Sequence, residues 1–138
     1  MNIPLLIAGL LTLVAFLAHT FVGTKETMQI APGHNAGEGA DVETAGRHWV
    51  QAMCAFQMVT ADLLILSASL IMVAVTDLIE HESIIILLAG SFFVLYLISW
   101  LTTLLLLKQK RSQYLFLGQW ILWLVNSGLI YWGYAING

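Results

Sequence analysis

The chain has 138 residues, of which 59% are hydrophobic and 9% charged, with a formal net charge of −3. A soluble domain carries about 25% charged residues, and a chain of this size cannot hide so much apolar surface in one core, so the composition excludes an ordinary water-soluble enzyme and predicts a lipid bilayer as the solvent. No basic cluster argues for nucleic acid as a partner, and the single cysteine, Cys54, excludes an intrachain disulfide.

A hydrocarbon core of about 30 Å requires roughly 20 helical residues. Four apolar segments reach that length, over residues 3–22, 49–75, 83–107 and 114–136. Unbroken apolar runs of this kind are helical, because only helices and closed barrels satisfy the backbone in lipid. The predicted fold class is therefore all-α, a four-transmembrane-helix antiparallel bundle forming one domain over residues 1–138, with a long polar loop at 23–48.

The first segment, with Pro4 in its opening turn, lacks a positive n-region and a small-x-small cleavage site. It reads as a retained transmembrane helix, not a signal peptide. Its apolar run contains His19 in the stretch LVAFLAHTFVGTKE. At 100° per residue, Gly9, Thr12, Phe16, His19 and Gly23 fall on one stripe, joined by Glu26 if the helix continues. The loop that follows is rich in Gly and acids, which argues against a long regular helix. It carries His34, Glu38, Asp41 and Glu43, read as a solvated acidic stretch; the ligand spacing of an EF-hand is absent.

On the second segment His48, Gln51, Ala55, Met58, Asp62 and Ser69 share a stripe, while Gln57, Thr60 and Ser67 form a second polar side. On the third, Ser91, Leu95, Ile98 and Thr102 align, and on the fourth Gln119, Trp123, Asn126, Gly133 and Asn137. Polar and small residues in membrane helices face other helices, so one stripe from each segment is expected to point inward. All five Lys and Arg residues lie at Lys25, Arg47, Lys108, Lys110 and Arg111, flanking the first connection or filling the third. The positive-inside rule then puts both connections in the cytoplasm and both termini outside, in a bacterial cytoplasmic (inner) membrane.

This layout predicts a polar site entered from the cytoplasm. His19, His48, Gln51 and Gln119 line its mouth, and Asp62 and Asn126 lie with Thr12 near mid-membrane. A carboxyl at the centre of a membrane helix costs about 2.5–3.5 kcal/mol on insertion scales, so Asp62 is expected to face the bundle, with Asn126 as partner. Convergence of His19 and His48, with Glu26 as a third ligand, would make a transition-metal site. The same two imidazoles on an apolar slot would suit bis-histidine haem. Met53, Cys54, Met58 and Met28 offer soft sulfur for copper(I), but methionine is a common filler of packed cores, and that reading is preferred.

Two short elements, AHTFVGTKE with His19 and Gly23, and FQMVTADLL with Phe56, Gln57, Thr60 and Asp62, resemble those of a group of small bacterial four-helix inner-membrane proteins. These carry His-x-x-x-Gly in the first helix and a Trp-His-x-x-Thr-like element in the second; Phe56-Gln57 stands here in place of Trp-His. The resemblance covers the first two helices and implies the architecture alone.

Three functional readings follow. The first is an accessory, non-enzymatic membrane protein binding a small ligand, ion or partner subunit in the polar pocket. The second is a membrane metalloprotein or oxidoreductase using His19 and His48, and the third a structural subunit of a larger membrane complex. Four helices are few for a solitary transporter, so a homo-oligomer or a membrane-complex partner is expected.

Overall fold

The computed structural model describes residues 1–32, 40–76, 82–116 and 118–137. Among the described residues every regular element is helical: α1 (Ile3–Ala18), a π-helical turn (His19–Gly23), α2 (Thr24–Gln29), α3 (Ala40–Val75), α4 (Glu82–Leu106), α5 (Arg111–Phe116) and α6 (Gln119–Asn137). Among the described residues three helices are long and apolar enough to cross a membrane. They are Ile3–Gln29, in which α1, the π-turn and α2 run on without a break, Glu43–Val75, and Glu82–Leu106. Helix α6 has 19 residues, but two Asn, one Gln and five Trp or Tyr residues dilute its apolarity.

The helix boundaries depart from the sequence expectation at two places. The polar loop expected over 23–48 is largely helical, with α2 running to Gln29 and α3 beginning at Ala40. Residues 24–29 contain no Gly or Pro, and the helix stops before Pro32, whose predecessor is biased away from helical backbone. On the far side, Glu43 and Arg47 pair at i,i+4 with 3.7 Å between charged atoms, the favourable orientation for such a pair. The second departure is a break in the fourth segment between α5 and α6. There the Trp120 indole N–H donates to Tyr114 O at 2.8 Å, and the Ile121 N–H to Gly118 O at 3.0 Å.

The chain forms two compact units, one of Met1–Thr12 with Leu66–Gly138 and one of Leu13–Ile65. In the first, Leu5, Ala8, Leu70, Ile86, Phe93 and Ile130 are among the core residues. Helices α4 and α6 pack antiparallel, with Gly90 against Ile130 and Tyr131, and the Trp123 ring 5.8 Å from Phe93 and 5.5 Å from Tyr96.

Asn2 organises the start of α1. Its Oδ1 accepts the Leu5 N–H at 3.2 Å, an N-cap bond to the third helical residue. Its Nδ2 donates to Gly133 O at 2.8 Å, and its backbone N–H to Ala74 O at 2.8 Å. Gly133 permits this approach, because a Cβ there would lie 2.7 Å from Leu5 Cγ and 3.0 Å from Asn2 Oδ1.

The expected inward stripe of the third segment is reversed. Ser91, Leu95, Ile98 and Thr102 are exposed, whereas Ile86, Ala89, Gly90 and Phe93 are buried. The Ser91 hydroxyl donates to Leu87 O and that of Thr103 to Ser99 O, both at 2.8 Å. Hydroxyls satisfied by their own helix need no partner helix. On α6 the expected stripe holds for Trp123, Asn126 and Gly133, all buried.

Candidate functional site

The most organised polar cluster lies in the Leu13–Ile65 unit, where the π-turn meets α3. An α-helix hydrogen-bonds each N–H to the carbonyl four residues back. Here the Thr24 N–H reaches five back, to His19 O, so one extra residue is accommodated between His19 and Gly23. Turns of this kind recur at functional sites.

The His19 ring is fixed on two sides. Its face stacks on Phe56, with centroids 3.7 Å apart and planes 11° from parallel. Its Nδ1 lies 2.7 Å from Thr60 Oγ1. Thr60 is buried, and its hydroxyl donates to Phe56 O at 3.2 Å. With the Thr60 proton given to Phe56 O, Thr60 accepts from His19 in the tautomer protonated on Nδ1, and that tautomer leaves the lone pair on Nε2. No bond to Nε2 is made among the described residues.

Further ties hold the two helices in antiparallel register. Gln57 Nε2 donates to Thr24 Oγ1 at 3.1 Å, and the Trp49 indole N–H to Thr27 O at 3.3 Å. Gly23 lies opposite Phe56, where a Cβ would come within 2.8 Å of the ring. The glycine therefore lets Phe56 approach the π-turn.

The residues expected to form one site are distributed. His19 stands at the cluster just described. His48 and Gln51 are exposed and bond to each other, Nδ1 to Oε1 at 3.3 Å. The contact of His19 is Thr60, twelve residues beyond His48 on α3, a separation of about 18 Å along the axis. The two imidazoles therefore do not converge, and the expected His19–His48–Glu26 metal set and bis-histidine haem lose their geometry. Glu26 is exposed on α2. Among the described residues no group of three or more His, Cys, Asp or Glu is gathered to hold a metal.

Asp62 is half-buried in the same unit as His19. Gln119 is exposed, and Asn126 is fully buried in the other unit. There Asn126 Nδ2 donates to Thr12 Oγ1 at 3.1 Å, whereas the partner expected for Asn126 was Asp62. Asn126 Oδ1 has no hydrogen-bond partner among the described residues. Of the sulfur cluster, Cys54 and Met58 are exposed, which the core-packing reading does not accommodate. His34 and Glu38 lie outside the described residues.

The predicted site left out Phe56, Gln57 and Thr60, although the sequence placed Gln57 and Thr60 on a second polar side. The signal was present, since Gln57, Thr60 and Ser67 form the second polar side of α3; Thr60 and Ser67 are the buried ones. Among the described residues, fold and cluster together define helices throughout, three of them of membrane length, and a histidine held between the first helix and α3. No family model, no curated protein and no solved structure matches this chain.

Proposed function

We propose that this chain is a small integral protein of a bacterial cytoplasmic membrane. It forms a four-helix antiparallel bundle with both termini outside, and serves as an accessory, non-enzymatic protein that binds a small ligand, ion or partner subunit at His19. The observation that carries this reading is the His19 ring, fixed by Phe56 and Thr60 while Nε2 is left uncommitted. Preorganising one contact atom reduces the ordering cost of binding.

Three further features support the architecture. The three apolar helices suit a bilayer. Helix α6 has no charged side chain and measures about 28 Å at 1.5 Å per residue, close to the ~30 Å hydrocarbon core. Its Trp and Tyr residues suit an interfacial aromatic belt. The distribution of Lys and Arg supports the orientation.

Native mass spectrometry of protein extracted in mild detergent, without chelator or affinity-tag metal, tests the reading, with elemental analysis of the same sample. The expected result is a bound molecule, ion or subunit on the native chain that is lost in His19→Ala. Absence of any adduct or partner, or an adduct kept in full by His19→Ala, would overturn it. A purely structural subunit is the second reading, favoured by the Thr24–Gln57 and Trp49–Thr27 ties, which join helices without needing a ligand.

A further inference from the structure

Two polar heavy atoms of the His19 cluster have no partner among the described residues, and both are acceptors: His19 Nε2 and Gln57 Oε1. The first is an acceptor in the tautomer protonated on Nδ1, which Thr60 favours when its own proton goes to Phe56 O. The Thr24 contact fixes the second by engaging the amide nitrogen of Gln57. Acceptors select a ligand that brings hydrogen-bond donors.

Charge narrows the class. Lys25 and Arg47 are the cations of this unit. Arg47 is engaged with Glu43 and Thr44, and Lys25 is exposed and makes no bond to the cluster. No fixed positive charge is therefore built in for a phosphate or carboxylate head, and no ligand set is gathered for a metal among the described residues. The π-turn also exposes Phe21 and Val22, and α3 exposes Met58 beside Gln57. Such neighbours suit a hydrocarbon tail.

We infer that the His19 cluster binds a neutral, membrane-dissolved molecule with a hydroxyl head, of the quinol or lipid-alcohol class, through a hydrogen bond from that hydroxyl to His19 Nε2. This rests on His19 being the binding residue proposed above.

The test is calorimetric titration of the full chain in lipid nanodiscs with a decyl-benzoquinol kept reduced under anaerobic conditions, and with the matching quinone. The quinol is expected to bind saturably, one per chain, and about tenfold tighter than the quinone, as one hydrogen bond of ordinary strength allows. His19→Ala should weaken quinol binding by about tenfold. Thr60→Val keeps the imidazole but releases its tautomer, and should narrow the quinol preference with helicity unchanged. Competition with 1-dodecanol sorts the source: displacement assigns a simple alcohol head, and no displacement an aromatic quinol. No saturable quinol binding, or equal binding by native chain and His19→Ala, overturns the inference. If quinol fails while native mass spectrometry still shows a different His19-dependent adduct, the ligand class falls and the binding reading stands; if both fail, both fall.

Discussion

Replacing the two members of the Thr12–Asn126 pair should have opposite effects on stability. Thr12→Val deletes the acceptor of the 3.1 Å bond and leaves the fully buried Asn126 amide with neither end paired. Stranding a buried polar group costs about 1–3 kcal/mol. Asn126→Leu keeps the branching of the side chain and also loses that bond, worth about 0.6 kcal/mol on average between membrane helices. It removes at the same time the orphaned Oδ1, whose burial carries a penalty of about 1–3 kcal/mol. Thr12 is not stranded in return, because its hydroxyl donates to Ala8 O at 2.7 Å. The balance predicts destabilisation of roughly 2 kcal/mol for Thr12→Val and stabilisation of roughly 1 kcal/mol for Asn126→Leu. Reversible unfolding by SDS in mixed micelles, followed by far-ultraviolet circular dichroism, measures both. A greater loss in Asn126→Leu than in Thr12→Val would refute the reasoning, since Oδ1 would then have a partner worth more than its desolvation.

Asn2→Ala should cost about 2 kcal/mol in the same assay, because it removes the cap of α1 and the bond to Gly133 O together; a loss below a few tenths would mean that water replaces both. A phosphatase fused after Gly138 should be active and a fluorescent protein fused there dark, as expected of an external C-terminus; the reverse pattern would overturn the proposed orientation.

Length and apolarity made the helices legible, and three of the four expected spans have membrane-length apolar helices. The fourth segment was readable as a helix, but Gly118 and the Trp120–Tyr114 bond place a break that apolar periodicity does not signal. The common depth of Thr12 and Asn126 was legible, but the expected partner of Asn126 was Asp62; depth alone does not choose between two polar neighbours, and the bond goes to Thr12. Helix α3 offered two polar sides, and period alone cannot rank them. The stripe with His48 and Gln51 is exposed there, while Thr60 on the other side is buried against His19. Helix α4 misled for another reason: Ser and Thr can satisfy themselves on their own backbone, so their presence does not mark an inward face. Asn2 was missed although its position before Pro4 suits a cap.

The π-turn also bears on how the first helix tolerates changes in length. A residue added to an α-helix rotates everything beyond it by about 100°, and this helix absorbs one such residue between His19 and Gly23. Its two sides therefore keep a common phase toward α3: His19 addresses Thr60, and Thr24 and Thr27 address Gln57 and Trp49. In genetic terms the turn is a one-codon insertion accommodated in place. Deleting a single residue such as Val22 would close the turn into regular helix while leaving His19 opposite Thr60 and Thr24 and Thr27 facing α3, a change readable as thermal stability largely kept with both sets of contacts intact.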